Sequence, residues 1–216
     1  MQLSTSTDAR NTLTPALIKM PQTSHTLVFD FTYNPSSSPF TVSSEKFISN
    51  HRGANYKFLA TGALVFDDSN SSAPRILLIQ RCASDSMPGR WEIPGGGVDD
   101  DDENILHAVA RELWEEAALT AVSIGPLVGS PHFFESRSGK QICKFSFLVE
   151  AKSVEGTMDV HLNPEEHQRF VWASEEEAKG RKVGDLEIEF TTTDLEATVL
   201  KAFSIRREAK EMLSSS

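Results

Sequence analysis

The sequence predicts a single α/β sandwich. Three observations carry that expectation. Strand-like apolar runs alternate with helical patterns along the chain, no internal repeat or heptad array interrupts them, and 216 residues suffice for one sizeable core with some decoration. Composition agrees, with 39% hydrophobic and 24% charged residues. No apolar run approaches the roughly 20 residues that a membrane span needs. The opening MQLSTSTDARNTLTPALIKM lacks the basic-then-apolar layout of a secretion signal. Cys82 and Cys143 stand far apart without metal-type spacing, so two free thiols in a reducing, cytoplasmic setting are expected. A formal net charge of −10 repels nucleic-acid backbones and speaks against general DNA or RNA binding. An acidic protein can still take a phosphorylated substrate if metal ions supply the positive charge.

In order along the chain, residues 1–24 are polar and lack a sustained period, which predicts a loosely ordered lead-in. An N-terminal extension over residues 25–55 follows. In TLVFDFTY, Leu27, Phe29, Phe31 and Tyr33 alternate with Val28, Asp30 and Thr32, a strand with one apolar face. NPSSSPF reads as a loop and SEKFISNH as a short helix ending near Gly53. The main domain is expected over residues 56–216. YKFLATGALVF and RILLIQR are strands on either side of the turn DDSNSSAP, SDSMPGR is a loop, and WEIP is a short strand stopped by Pro94.

Residues 104–118 are helical. VSIGPLVG, PHFFES and QICKFSFLVEA are strands, the last two a hairpin through RSGK, and RFVWA is another. SEEEAKG is a short helix, with Ser174 and Glu177 as a capping box before Gly180. The last helix starts near TDLE, where Thr193 and Glu196 are expected to form a second capping box. Its apolar side is Leu195, Val199, Ala202 and Phe203.

The stretch GGGVDDDDENILHAVARELWEEAAL, residues 95–119, poses the functional question. Asn104 is a plausible N-cap, and Leu106, Ala110, Leu113 and Ala117 form a buried stripe. Glu112, Glu115 and Glu116 fall elsewhere on the helix, within about 100° of arc. Like charges so spaced cost roughly a few tenths of a kcal/mol per pair. The acids from Asp99 to Glu103 are less costly, because negative charge near a helix N-terminus is favourable. An acidic helix face alone is most often a solvated surface, and so is an acidic loop. A divalent cation would remove the conflict: magnesium prefers oxygen ligands from a few carboxylates together with substrate phosphates. Gly95, Gly96 and Gly97, lacking Cβ atoms, allow backbone to approach a metal or phosphate closely.

The joint spacing resembles the signature of the Nudix hydrolases, G-x5-E-x7-R-E-U-x-E-E-x-G-U, with U a bulky aliphatic residue. Gly97, Glu103, Arg111, Glu112, Leu113, Glu115, Glu116 and Leu119 meet eight of its nine specified positions within 23 residues. Ala118 stands where the signature has its last glycine, a position expected to be left-handed or tightly packed. The cost there is about 1 kcal/mol if the left-handed conformation is kept; alternatively the helix runs one residue further. The flanking LLIQR…GRWEIPGGG is similar to the family's lead-in.

The resemblance implies an α/β/α sandwich around a mixed sheet, carrying the strand–helix extension at its N-terminus. It implies that Glu112, Glu115 and Glu116 hold Mg²⁺ or Mn²⁺, with the carbonyl of Gly96 as a further ligand. Arg111 and Glu103 would be a supporting pair that orients the glutamates, the arginine lowering their pKa values. The implied reaction is hydrolysis of a small-molecule diphosphate, a nucleoside diphosphate joined to another group. Glu112 is the first candidate for the base, and Glu165 and Glu166 in NPEEHQRFVW are second.

Trp91, Phe133 and Phe134, with Arg81 and Gly97, are candidate substrate contacts. Core packing is the stronger reading of the three rings, since strand aromatics usually face inward. His107 is expected on the surface, no H-x-x-x-H spacing suggests zinc, and no G-x-S-x-G supports a serine nucleophile. Alternatives are a catalytically silent nucleotide-sensing module, a hydrolase of lipid or isoprenoid diphosphates, and an isoprenoid diphosphate isomerase. The last lacks a suitably placed cysteine. The SQPWPFPxS run of NADH-type members is absent. No membrane association is expected, and a monomer or homodimer is.

Overall fold

A computed structural model describes residues 28–51, 53–67, 74–152 and 158–214. The expected lead-in, residues 1–24, lies outside them, as do Leu27 and most of the turn DDSNSSAP. Elements run β1 (Thr32–Tyr33), a 3-10 helix (Pro35–Phe40), α1 (Ser44–Asn50), β2 (Phe58–Asp67), β3 (Arg75–Arg81), β4 (Trp91–Glu92) and α2 (Ile105–Ala117). Then come β5 (Thr120–Leu127), β6 (His132–Glu135), β7 (Gln141–Lys152), β8 (His167–Ser174), α3 (Glu175–Lys179), β9 (Lys182–Val183), β10 (Leu186–Glu187) and α4 (Thr193–Ser214).

A mixed sheet runs β1-β5-β7-β2-β3-β4, with β6 also paired to β7 and β8 to β3. β2 and β7 are parallel from Phe58↔Ile142 to Val65↔Val149. β2 meets β3 only at Phe66↔Ile76 and Asp67↔Arg75, after which the two strands part. The chain leaving β4 takes up the bonding groups of β2 that this opens. Ala63 N–H donates to the Pro94 carbonyl, Thr61 N–H to Gly96, and Val98 N–H to Leu59. The glycine segment is thereby laced to the sheet.

Alternation along the strands feeds two cores. On one face Leu59, Ala63, Val65, Leu77, Phe145 and Phe147 pack with Leu106, Val109 and Leu113 of α2. On the other, Leu64, Phe66, Ile76, Leu78 and Trp91 pack with Leu195, Val199, Ala202 and Phe203 of α4. Strands buried on both faces read as continuous apolar runs, which explains why β2 and β3 were plain in the sequence. The result is the α/β/α sandwich.

The extension belongs to the first core. Phe40 and Phe47 stack with centroids 5.5 Å apart, and Phe40 meets Phe145 edge-on at 5.0 Å. β1 is shorter than its alternating pattern predicts. Thr32 and Tyr33 pair with Ser123 and Ile124 of β5, while Phe29 and Phe31 pack on the core outside any strand. Alternation reports which side of an extended chain is covered, not whether a ladder partner lies beside it. NPSSSPF, expected as a loop, forms the 3-10 helix, with the Asn34 side chain accepting the Ser36 N–H.

At the other end, the Ser174–Glu177 capping box is present. The second expected box is not. Thr192 Oγ1 accepts the Leu195 N–H at 3.0 Å, and Glu196 is drawn away into a paired contact with Arg181 at 2.8 and 2.7 Å. No helix among the described residues is long and apolar enough to cross a membrane.

Helix α2 is capped by Asn104, whose side chain accepts from Leu106 and His107, and it ends at Ala118 with φ 54° and ψ 28°. The signature's left-handed turn is kept although the residue is alanine. Ala118→Gly should therefore raise stability by about 1 kcal/mol in urea unfolding. An unchanged or lower midpoint would show that no strain resides there.

Candidate active site

Two of the three acids on α2, Glu112 and Glu116, do not face solvent. Glu112 and Glu116 are 9% and 6% exposed, lodged beneath the glycine segment. A Cβ on Gly95 (φ 148°) would stand 2.2 Å from the Thr61 carbonyl oxygen, and one on Gly96 would stand 2.7 Å from Glu112 Oε2. Only glycine lets backbone lie so close to both strand and carboxylate. Gly95 N–H donates to Glu116 Oε2 at 2.6 Å. The Gly96 carbonyl accepts from Thr61 at 2.8 Å, leaving its second lone pair. Gly97 offers its carbonyl to Arg111 at 2.8 Å.

Arg111 ties loop to helix. Its Nε and Nη2 donate to both oxygens of Asp102 at 2.9 Å, and its Nη1 donates to Glu112 Oε1 and Glu115 Oε2 at 2.8 Å. Asp102, not Glu103, is the arginine's partner. Glu103 is 77% exposed at its side chain and faces His107 at 3.4 Å. Counted along the chain, the two acids are neighbours; the turn decides which one points inward, and Asp102 also accepts the Asp99 N–H at 2.8 Å. Burial works against the charge of Arg111, but Asp102 and Glu112 outweigh it and hold the guanidinium protonated.

The expected lowering of the glutamate pKa values does not follow. Burial pushes Glu112 up to about 7 despite Arg111, with Glu115 and Glu166 adding to the rise. Burial also lifts Glu116 well above the usual carboxyl range, against the Gly95 N–H and Lys144 and helped by Glu92 and Glu112. Glu115 remains half exposed.

The loop ahead of β8 folds over the end of this helix. His161 N–H donates to Ala117 and Asn163 N–H to Glu116, at 3.1 and 3.3 Å. Glu166 is exposed, yet it offers an oxygen within 4.8 Å of ligand atoms on Glu116 and His167. Glu165 is exposed, its carbonyl accepting from Cys82 Sγ at 3.2 Å. Of the two loop glutamates, Glu166 is the one brought to the site.

Behind Glu116 lies a buried ionic set. His167 Nε2 is 3.2 Å from Glu92 Oε1, which also accepts from Arg81 Nη1 at 2.5 Å. Arg81 spends its remaining fork on Asp85 at 2.6 and 2.7 Å. Burial would raise Glu92, but His167, Lys144 and Arg81 outweigh it and hold the carboxyl low. Lys144 crosses the sheet beside Gly62, where an added Cβ would meet its Cε at 3.2 Å.

The ring contacts divide. Trp91 is fully buried in the α4-side core and can stack on nothing from outside. Phe133 and Phe134 are 62% and 36% exposed, against the stronger reading of core packing. Phe133 opposes Cys143, which faces the α2 side, and sits 5.7 Å from Tyr56. Directly opposed residues share a sheet face, so Phe133 is turned away from Lys144, whereas Phe134 and His132 share the lysine's face. His107 is partly buried against Phe31 at 5.0 Å rather than free on the surface.

Asp102, Glu92, Lys144 and His167 are the participants that sequence reasoning missed. Glu92 and Lys144 each interrupt an apolar strand run, which was a usable signal. His167 reaches Glu92 and Glu116 only through the fold.

A family model described as the NUDIX domain matches residues 57–191. The chain belongs to the Nudix hydrolase family. Among curated proteins, the CTP pyrophosphohydrolase of Escherichia coli K12 is 33% identical over 136 residues, covering 63% of this chain and 87% of that one. Among solved structures, the E. coli ORF135 protein shares 27% identity at a TM-score of 0.50, covering 70% of this Nudix chain and 91% of its own. The Ap4A hydrolase of C. elegans, in a binary complex, shares the fold at a TM-score of 0.50 and 22% identity, covering 70% and 99%.

The raised Glu112 carboxyl has a consequence for stability. Without metal, the folded protein holds a proton on Glu112 between about pH 4.5 and 7 that the unfolded chain has released, so this group withdraws stability as pH rises through that window. Wild type should lose more stability from pH 5 to pH 8 in EDTA than Glu112→Gln does. Parallel pH profiles from denaturant unfolding would refute it.

Proposed function

We propose that this Nudix pyrophosphohydrolase is metal-dependent and cleaves the P–O–P linkage of a nucleotide, using Glu112, Glu115, Glu116 and the Gly96 carbonyl to hold Mg²⁺ or Mn²⁺. The burial of Glu112 and Glu116 carries this reading. A solvated acidic face would leave them exposed; here they converge under a backbone cradle that Cβ atoms would fill. Oxygen donors in that number suit a hard divalent cation. The retention of all three signature glutamates favours catalysis over a silent module. The 33% identical relative is a CTP pyrophosphohydrolase, which supports a nucleoside triphosphate, or a nucleoside diphosphate joined to another group, as substrate.

When bound, the metal neutralises phosphate oxygens and lowers the pKa of attacking water. The protein's own groups do the rest. Arg111 pins Glu112 and Glu115 while Asp102 and the Gly97 carbonyl hold Arg111, so the carboxylates need no reorganisation during the reaction. Glu112, fixed by Arg111 Nη1, is the first candidate for taking the proton from water, and the exposed Glu166 is the second. Lys144, charged and on the face beside Gly62, offers a cation to the polyphosphate. Phe134 on the same face is the remaining aromatic candidate for a base contact.

Pyrophosphate and nucleotide products should appear from a panel of nucleoside triphosphates and nucleoside diphosphate conjugates only with Mg²⁺ or Mn²⁺. Glu112→Gln should lower kcat about 100-fold or more with an unchanged circular dichroism spectrum. Glu116→Gln should abolish turnover; a folded Glu116→Gln protein with wild-type kcat would refute the reading.

A further inference from the structure

His167 is 3% exposed, and its two nitrogens are not equivalent. Nε2 lies 3.2 Å from Glu92 Oε1, an oxygen that also accepts from the Arg81 guanidinium. A carboxylate paired with an arginine accepts, so Nε2 carries the hydrogen and donates it. Nδ1 is buried and has no hydrogen-bond partner among the described residues. It points at Glu116 Oε1 from 3.9 Å, too far for a hydrogen bond. An orphaned buried nitrogen is costly unless something else occupies its lone pair.

We propose that His167 Nδ1 is a metal ligand, completing with Glu116 and Glu166 a mixed nitrogen and oxygen seat for a divalent transition-metal ion. The inference rests on the metal-dependent reading of the same site and specifies which ion that site selects. Two ligands each about 2.1 Å from one ion stand at most about 4.2 Å apart. The 3.9 Å between Nδ1 and Glu116 Oε1 fits one ion between them. The ligand atoms of Glu116, Glu166 and His167 lie within 4.8 Å of one another, and the exposed Glu166 carboxylate closes the remainder by a small rotation.

The surroundings have the form that metal-binding histidines require. The distal nitrogen donates to a carboxylate, which fixes the tautomer and makes the proximal nitrogen more basic. Arg81 and Asp85 brace that carboxylate in turn. Glu116 is divided between the two tasks: Oε2 takes the Gly95 N–H, while Oε1 faces the histidine. The loop bonds to Glu116 and Ala117 at the end of α2 hold His167 in register with the carboxylates.

An imidazole changes which ion is favoured. Magnesium prefers oxygen and keeps its waters, whereas Mn²⁺, Co²⁺ and Zn²⁺ accept nitrogen progressively better. The site should thus bind Mn²⁺ at least 10-fold more tightly than Mg²⁺, and His167→Gln should erase most of that preference by weakening Mn²⁺ alone.

The decisive readout is pulsed electron paramagnetic resonance of the full chain loaded with Mn²⁺. A directly coordinated imidazole nitrogen modulates the echo; carboxylates do not. Wild type should show ¹⁴N modulation, and both His167→Gln and His167→Asn should lose it while still binding Mn²⁺ more weakly. Using two variants guards against one that fails to fold, which circular dichroism would reveal. Mn²⁺ bound to wild type without nitrogen coupling would overturn the histidine's role and leave the glutamate site standing. Coupling that persists in the folded variants would also overturn it. Failure of wild type to bind Mn²⁺ at all would remove both this inference and the metal-dependent reading beneath it.

Discussion

Two carboxylates that cannot easily be charged where they sit set the terms for the rest of the molecule. Glu112 and Glu116 are forced inward because the α2 stripe of Leu106, Ala110 and Leu113 must be buried on the sheet. The helix therefore brings its acids under the segment that follows β4. That segment can pass only as glycine, with Gly95 against Thr61 and Gly96 against Glu112. The parting of β2 from β3 exists to receive it, since Ala63, Thr61 and Leu59 would otherwise lack bonding partners on that side. Sheet, turn and helix thus solve one packing problem together, and its residue is a concentration of negative charge in a place of low polarity.

Arg111 and the Glu92–His167 pair deal with that charge from opposite sides. The arginine is the strongest local counter-charge, yet burial still wins at Glu112. This is why the sequence argument, which had Arg111 depress the glutamate pKa values, ran the wrong way. It weighed the attraction and had no measure of desolvation. A site left in that state favours any cation that can enter it, which links packing directly to chemistry.

Much of this was legible in the chain. The helix bounds, the Asn104 cap, the buried stripe and the three signature glutamates follow from local spacing, and local spacing is what a sequence displays. β2 and β3 were equally plain because they are apolar on both faces. The misses share one cause: they concern which of several neighbours turns inward or what lies across the fold. Asp102 rather than Glu103 meets Arg111 because the turn from Asp99 to Asp102 closes on itself. Phe133 and Phe134 lie at the surface of the β6–β7 hairpin, because a strand pattern does not tell which of its positions another element covers. His167, adjacent to an acid already under suspicion, gave no sign of its partners. The aromatic alternation before Asn34 described covering without pairing, and Glu196 preferred an arginine to its own helix end.

The central claim is that a cation belongs among these buried acids. Crystals soaked in manganese and measured at its absorption edge would test it most directly. The account predicts anomalous density against the Glu112 and Glu116 carboxylates, beneath Gly96. Well-ordered crystals with no anomalous peak there, even with a non-hydrolysable diphosphate present, would contradict it.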